Sequence, residues 1–146
     1  MKSSTSIKPQ TVQREWHEID VADQILGRVS SQIAKLLLGK GKPYFVNHQD
    51  VGDYVVVVNA DKIKVTGNKL DQKIYYHHSG YPGGMKTRTL AQMMDKDSRK
   101  VLEKAIRGML PKTKLGDDMF RKLFVYSDSD HPYKSKLRTN VAKGDK

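Results

Sequence analysis

Residues 54–58 read Tyr-Val-Val-Val-Val, four consecutive β-branched side chains with no polar break. Side chains alternate between faces along a strand, so an extended run of this kind is apolar on both sides. Such a strand needs cover on both faces, which is the situation of a parallel sheet held between helices. This segment directs the chain toward a layered α/β fold.

The flanking sequence supplies the other layers. Residues 14–21 alternate around Trp16, Ile19 and Val21, a strand pattern. Ile25, Leu26, Val29, Ile33, Leu36 and Leu37 then recur at three- and four-residue spacing, one apolar face of a helix. Asp23 is the expected cap of that helix, and Gly39, Gly41 and Pro43 end it. Residues 62–66 alternate as a short half-exposed strand, and residues 73–78 look extended. Thr89 caps a short helix carrying Leu90, Met93 and Met94, and Asp97 or Ser98 caps the next. That second helix has Val101, Leu102, Ala105, Ile106, Met109 and Leu110 on one face and Arg99, Lys100, Lys104 and Arg107 on the other, and Pro111 stops it. Residues 123–126 form a last apolar strand. Strand, helix, strand, helices and strand together make a small, mostly parallel α/β sheet, with a right-handed crossover between its first two strands.

The expected organisation is a lead-in over residues 1–13, disordered or extended, a domain over 14–126 and an extended basic tail over 127–146, where little apolar material remains to be buried. The first 13 residues have no apolar stretch of the kind a secretory signal needs. No run approaches the roughly 20 apolar residues of a membrane span. The chain has no cysteine, which removes disulfides, thiolate metal sites and a cysteine nucleophile.

The 146 residues carry 27 Lys and Arg against 16 Asp and Glu, a net charge of +11. The excess is uneven: residues 81–146 hold 16 basic and 8 acidic side chains, against 11 and 8 in residues 1–80. A surplus of this size points to a polyanionic partner, and to the second part of the chain as its contact surface.

Within that part, residues 75–88 combine turn chemistry with rings and cations. Gly80, Pro82, Gly83 and Gly84 set the backbone; Tyr81, Lys86 and Arg88 follow the pair His77 and His78. Backbone amides, flat rings and fixed cations suit a partner rich in phosphates and bases. Arg107, Lys112 and Lys114 at the end of the basic helix add further phosphate contacts, or serve only as a helix terminus whose lysines complement the dipole. Irregular loops favour folded RNA over DNA, because RNA offers crevices and unstacked bases.

Competing chemistries lack their residues. The glycine-rich segments have neither the Gly-x-x-x-x-Gly-Lys-Ser/Thr nor the Gly-x-Gly-x-x-Gly spacing, and Gly39-Lys40-Gly41-Lys42 follows a helix instead of opening one. No histidine pair has metal spacing, and His77 and His78, adjacent in an extended segment, point to opposite faces. Asp50 and Asp53 flank Gly52 and fit a turn before the strand, with no nucleophile or base beside them. Ser30 and Ser31 read as helix-surface or packing residues. An RNA-modifying or nucleotide-using α/β enzyme is the alternative class, and it would need a nucleophile or cofactor loop that is not evident here.

Several segments together resemble one family. They are Leu26-Gly27-Arg28, Gly52-Asp53-Tyr54, Val58-Asn59-Ala60, Thr66-Gly67-Asn68-Lys69, Tyr75-Tyr76, His78-Ser79-Gly80-Tyr81-Pro82-Gly83-Gly84, Gly108-Met109-Leu110-Pro111-Lys112, Leu115-Gly116, Met119-Phe120 and His131-Pro132. In this order and spacing the chain resembles the bacterial-type large-subunit ribosomal protein thirteen family over about residues 14–133. The resemblance implies a three-layer α/β/α fold around a four-stranded parallel sheet, and no catalytic residues or cofactor. It implies a structural role: binding large-subunit ribosomal RNA, supporting subunit assembly and lying beside other ribosomal proteins, with neither a membrane nor a small-molecule substrate as partner. The expected location is the large subunit in the cytoplasm, with an organelle that makes its own ribosomes as the alternative.

The expected RNA-binding residues are His77, His78, Ser79, Gly80, Tyr81, Pro82, Gly83, Gly84, Lys86, Arg88, Arg107, Lys112, Lys114, Arg121, Lys122, Lys134, Lys136 and Arg138. The chain departs from the family pattern at Val46-Asn47, at His77 where arginine is frequent, at Asp117-Asp118 where basic residues are common, and at Tyr133 where histidine is frequent.

Overall fold

In the computed structural model, which describes residues 12–141 and the side chains through Leu137, the elements are β1 (Trp16–Asp20), α1 (Leu26–Leu38), β2 (Tyr54–Val58), α2 (Lys69–Gln72), β3 (Ile74–His78), β4 (Met85–Thr89), α3 (Leu90–Met109), α4 (Lys114–Phe120), β5 (Leu123–Val125) and α5 (Lys134–Val141). β1, β2 and β5 form a parallel sheet in the order β1-β2-β5, and β3 and β4 form a separate antiparallel pair. The lead-in expectation falls, but for residues 12 and 13, outside the described residues.

β2 lies in the middle of the sheet, as its sequence requires. Val55, Val56 and Val57 have no exposure to solvent. Val55 and Val57 join Leu26, Val29, Ile33 and Leu37 of α1 and Val101, Leu102 and Ile106 of α3 in one core. Each fully buried Val contributes roughly 1.5 kcal/mol or more from surface removed from water.

The second face of the sheet has a different cover. Trp16 pairs with Tyr54 in register, and Val56 with Phe124, so these side chains share that face. The Trp16 ring stacks on Tyr54 at 4.4 Å, on Phe124 at 5.7 Å and on Tyr133 at 5.0 Å. His131 is buried beside them, its Nε2 3.3 Å from Glu18 Oε1. The Tyr133 amide donates to His131 Nδ1, so a neutral ring carries its proton on Nε2, facing Glu18. The segment expected to run out as an extended tail therefore folds back across the sheet, and residues 134–141 are helical. The aromatic face of Trp16, Tyr54 and Phe124 gives this polar segment something to cover, through Tyr133 and His131. α1 and α3 thus pack on one face of the sheet, and Tyr133 and His131 on the other.

Two local expectations are replaced by backbone pairing between distant segments. Asp23 does not cap α1; it sits at φ 61° and its carboxylate meets Lys64 Nζ at 2.8 Å. Ile25 holds the cap position, and the Leu26 amide donates to the Lys64 carbonyl instead. The strand expected over residues 62–66 is reduced to a single parallel bridge, Ile25 to Lys64, after a 3-10 turn at Ala60–Lys62. Three strands, and not four, make the parallel sheet among the described residues.

The helix ends follow the sequence more closely. Gly39 closes α1 in the left-handed region at φ 76°. Thr89 opens α3 with a capping box: its Oγ1 accepts from the Gln92 amide at 3.4 Å, and the Gln92 side chain accepts from the Thr89 amide at 3.2 Å. α3 breaks at Asp97, whose φ of −167° and ψ of 96° are extended, where the sequence divides two helices. We expect Thr89→Ala to lower stability by about 1 kcal/mol, read as a lower midpoint in urea at unchanged slope.

Below the N-terminal end of β2 the two aspartates do more than form a turn. Asp50 accepts from the Gly52 amide at 3.3 Å, as the turn reading requires, and also meets Lys122 Nζ at 2.5 Å and Arg14 at 3.5 Å. Asp53 meets Lys42 Nζ at 2.5 Å and His17 Nε2 at 3.3 Å, and accepts from the Glu15 amide at 3.0 Å. Burial pushes the Asp53 carboxyl up, but the bonds from His17, the Glu15 amide and Lys42 outweigh it and hold the group below the ordinary carboxylate value.

Candidate nucleic-acid interface

The glycine-rich segment is the tip of a hairpin. Residues 85–88, read from the sequence as loop, form β4 with Thr89 and pair with β3 in the register Tyr75–Arg88, Tyr76–Thr87, His77–Lys86 and His78–Met85. The alternation of a strand is invisible here because neither face of the hairpin is deeply buried, so no polar–apolar period marks it.

At the tip, Gly80 and Gly83 adopt φ of 88° and 70°, which glycine takes without steric cost. The tip's amides are partly used internally: Ser79 donates to the Gly84 carbonyl, Gly84 to the Tyr81 carbonyl and Gly80 to His78 Nδ1. What the tip presents outward is Tyr81, 76% exposed.

His77 and His78 lie on opposite faces, as adjacent strand residues must. Tyr75 and His77 share one face with their cross-strand partners Arg88 and Lys86. That face, with Lys96, Lys100 and Lys104 of α3, lines a groove of about 340 Å³. The other face carries Ile74, Tyr76 and Met85, all exposed.

A second groove, of about 590 Å³, opens where α3 turns into α4, lined by Lys104, Arg107, Lys112 and Lys114. Lys104 borders both grooves. Cations therefore run along one side of the fold from the hairpin to the start of α4. Lys86, Arg88, Lys96, Lys104, Lys112 and Lys114 have no ion pair among the described residues. Lys96, Lys100 and Lys104 are absent from the expected site; the spacing of four places Lys100 and Lys104 on one helix face beside Arg107, and Lys96 joins them at the groove from the arm before the break at Asp97.

Other expected residues are used differently. Arg107 pairs with Asp117 at 3.1 Å and Arg121 with Asp118 at 2.9 Å. The two aspartates that depart from the family pattern thus each engage one of the expected contacts. Lys122 is buried, 5% exposed, and its ammonium is spent on Asp50, so it is not offered to a partner. Lys134 bonds Asp130, and Lys136 Nζ sits 4.7 Å from the Trp16 ring centroid, both on the far face of the sheet from α3. The Arg138 side chain lies outside the described residues.

α4 itself escapes a reading of sequence because Gly116 sits inside it. The structure needs that glycine: a Cβ there would lie 1.8 Å from the Pro111 carbonyl oxygen. Thr113 caps α4, its Oγ1 accepting from the Gly116 amide at 3.4 Å. This holds Lys112 and Lys114 exposed on either side of the cap.

The family described as ribosomal protein L13 matches residues 14–132. The chain belongs to the ribosomal protein L13 family. It is 57% identical over 125 residues to the large ribosomal subunit protein uL13 of Agathobacter rectalis, covering 86% of this chain and 88% of that one. The uL13 of Thermobifida fusca is 52% identical over 130 residues, 89% of this chain and 87% of its own. That of Thermotoga petrophila is 47% identical over 135 residues, 92% and 91%. The L13 family match spans the parallel sheet, both basic grooves and the fold-back at His131. Among the described residues no helix is long and apolar enough to cross a membrane, and no group of three or more His, Asp or Glu could hold a metal ion.

Proposed function

We propose that this protein is a structural constituent of the large ribosomal subunit that binds folded ribosomal RNA and supports assembly of the subunit. Its working location on this reading is the large subunit in the cytoplasm, beside other ribosomal proteins, and its role is structural and not catalytic. The observation that carries the reading is the row of cations from Lys86 to Lys114 on one side of an L13-family fold, of which Lys86, Arg88, Lys96, Lys104, Lys112 and Lys114 have no ion pair among the described residues. Phosphates of the RNA match those cations. Tyr81 at the hairpin tip stacks on or abuts a base or sugar, with His78 and residues 79–84 fixing the register. Lys134 and Lys136 give a second, smaller contact on the far side. The four-stranded parallel sheet that the family resemblance implies corresponds, on this reading, to the three strands plus the bridge at Lys64.

The test is a charge reversal at exposed positions. Lys112→Glu with Lys114→Glu is expected to weaken binding to a large-subunit RNA fragment at least tenfold, and to make the log–log salt slope shallower by about 1.5. The thermal midpoint should hold, because both side chains are exposed. Equal affinity of variant and parent across the salt series would refute this contact. Asp117→Asn should act in the opposite sense, tightening RNA binding severalfold by releasing Arg107.

A further inference from the structure

We infer that the groove between the hairpin and α3 is a clamp for consecutive phosphates of a single RNA strand. The inference rests on the RNA-binding role above and names the element of RNA that this groove takes. Lys86 and Arg88, two apart on β4, form one row of charge. Lys100 and Lys104, four apart on the second arm of α3, form another with Lys96 just before the break at Asp97, and both rows line the same groove. Asp97 is the single carboxylate in the lining, and Arg99 at 3.0 Å and Lys100 at 3.5 Å already engage it. Cations confined on two walls raise the local positive potential, which linked anions between them relieve.

Size decides what enters. The groove's 340 Å³ lies at the low end of the range for small-ligand sites, so it encloses a short stretch of one strand and not a double helix. Tyr75 supports the clamp. Its ring takes Lys104 at 5.0 Å and Lys73 at 5.4 Å, which holds Lys104 at the groove. Its hydroxyl is buried with no hydrogen-bond partner among the described residues. That donor is available to a phosphate oxygen after a small shift of the ring.

Two linked phosphates are the recognised chemistry, and either an RNA strand or a free oligophosphate carries it. The test uses the full chain at fixed ionic strength, with inorganic tripolyphosphate, orthophosphate, a single-stranded RNA and an RNA duplex. Tripolyphosphate is expected to bind and to displace the single strand, while orthophosphate at equal ionic strength does not. Lys96→Gln with Lys104→Gln should weaken tripolyphosphate binding at least tenfold; Lys35→Gln with Lys40→Gln, exposed at the end of α1 and outside both grooves, should leave it within twofold. Tyr75→Phe should weaken it severalfold without lowering the thermal midpoint. Equal tripolyphosphate affinity in the two double variants, or no binding by a protein that still holds RNA, overturns the clamp and leaves the broader role standing. Tripolyphosphate binding that the single strand fails to compete assigns the groove to free oligophosphate and overturns the RNA assignment. A preference for duplex over single strand that survives in the groove variant overturns it equally. Failure of every RNA to bind would instead remove the function on which the inference rests.

Discussion

Gly52→Ala is expected to leave no stably folded protein at 37 °C. A Cβ on residue 52 would lie 1.7 Å from the Leu37 carbonyl oxygen and 2.5 Å from its carbon, both backbone atoms at the end of α1. No rotamer relieves a clash with backbone, so α1 must move away from the loop before β2. That movement would disturb the bond from the Asp53 amide to the Leu36 carbonyl and the packing of Leu37, which has no exposure to solvent. A cost above about 4 kcal/mol is of the order that marks severe core lesions and takes most of the stability of a domain this size. Gly27→Ala provides the contrast. Nothing lies within 4 Å of its Cβ position, and it stands within α1. That change should raise stability by about 0.5–1 kcal/mol through helix propensity. Circular dichroism melts of the two variants decide the matter; a Gly52→Ala protein that melts within a few degrees of the parent would show that the close approach is not required.

The different weights of these two glycines mark what a sequence can and cannot carry. Gly52 reads as part of a turn between Asp50 and Asp53, and that local reading is right as far as it goes. The neighbour that forbids a side chain there is Leu37, fifteen residues earlier, and no local pattern announces it. Most of the legible elements have a local signal and a buried environment, with β3, read as extended although largely exposed, as the exception. β1, α1, β2, the two arms of α3 and β5 each bury one face or both, and burial is what imposes a period on the sequence. β4 buries neither face deeply, so Met85 to Arg88 shows no period and passes for loop. Residues 127–137 contain few apolar side chains, and their place is set by Tyr133 and His131 meeting Trp16, Phe124 and Glu18 from the other end of the chain. At the candidate interface, charge excess and turn chemistry single out the hairpin tip and Lys112 to Lys114. They do not say which cations are spent internally. Arg107, Arg121 and Lys122 look alike in sequence to Lys86 and Lys112, and only the fold shows their carboxylate partners.

Lys122 turns that distinction into a measurement. Lys122→Met is expected to cost about 2 kcal/mol of stability, because removing the buried lysine leaves its half-buried partner short of compensating charge. The orphan is Asp50, 72 residues away in sequence, whose carboxylate would keep only Arg14 at 3.5 Å and the Gly52 amide. Burial pushes the Lys122 ammonium below the ordinary lysine value, and Asp50 pulls the other way. The pair thus stands on a balance between desolvation and attraction. That balance has a signature: adding Asp50→Asn to Lys122→Met should recover a substantial part of the loss, since the stranded charge is removed with its partner. A surface lysine serving only as a phosphate contact would behave in the opposite way. Its loss would weaken RNA binding, leave the melt unchanged and show no coupling to Asp50. Below its melting transition the Lys122→Met protein should bind the RNA fragment as the parent does, with the same salt slope. A variant as stable as the parent but with a shallower slope would return Lys122 to the interface and remove it from the support of β2.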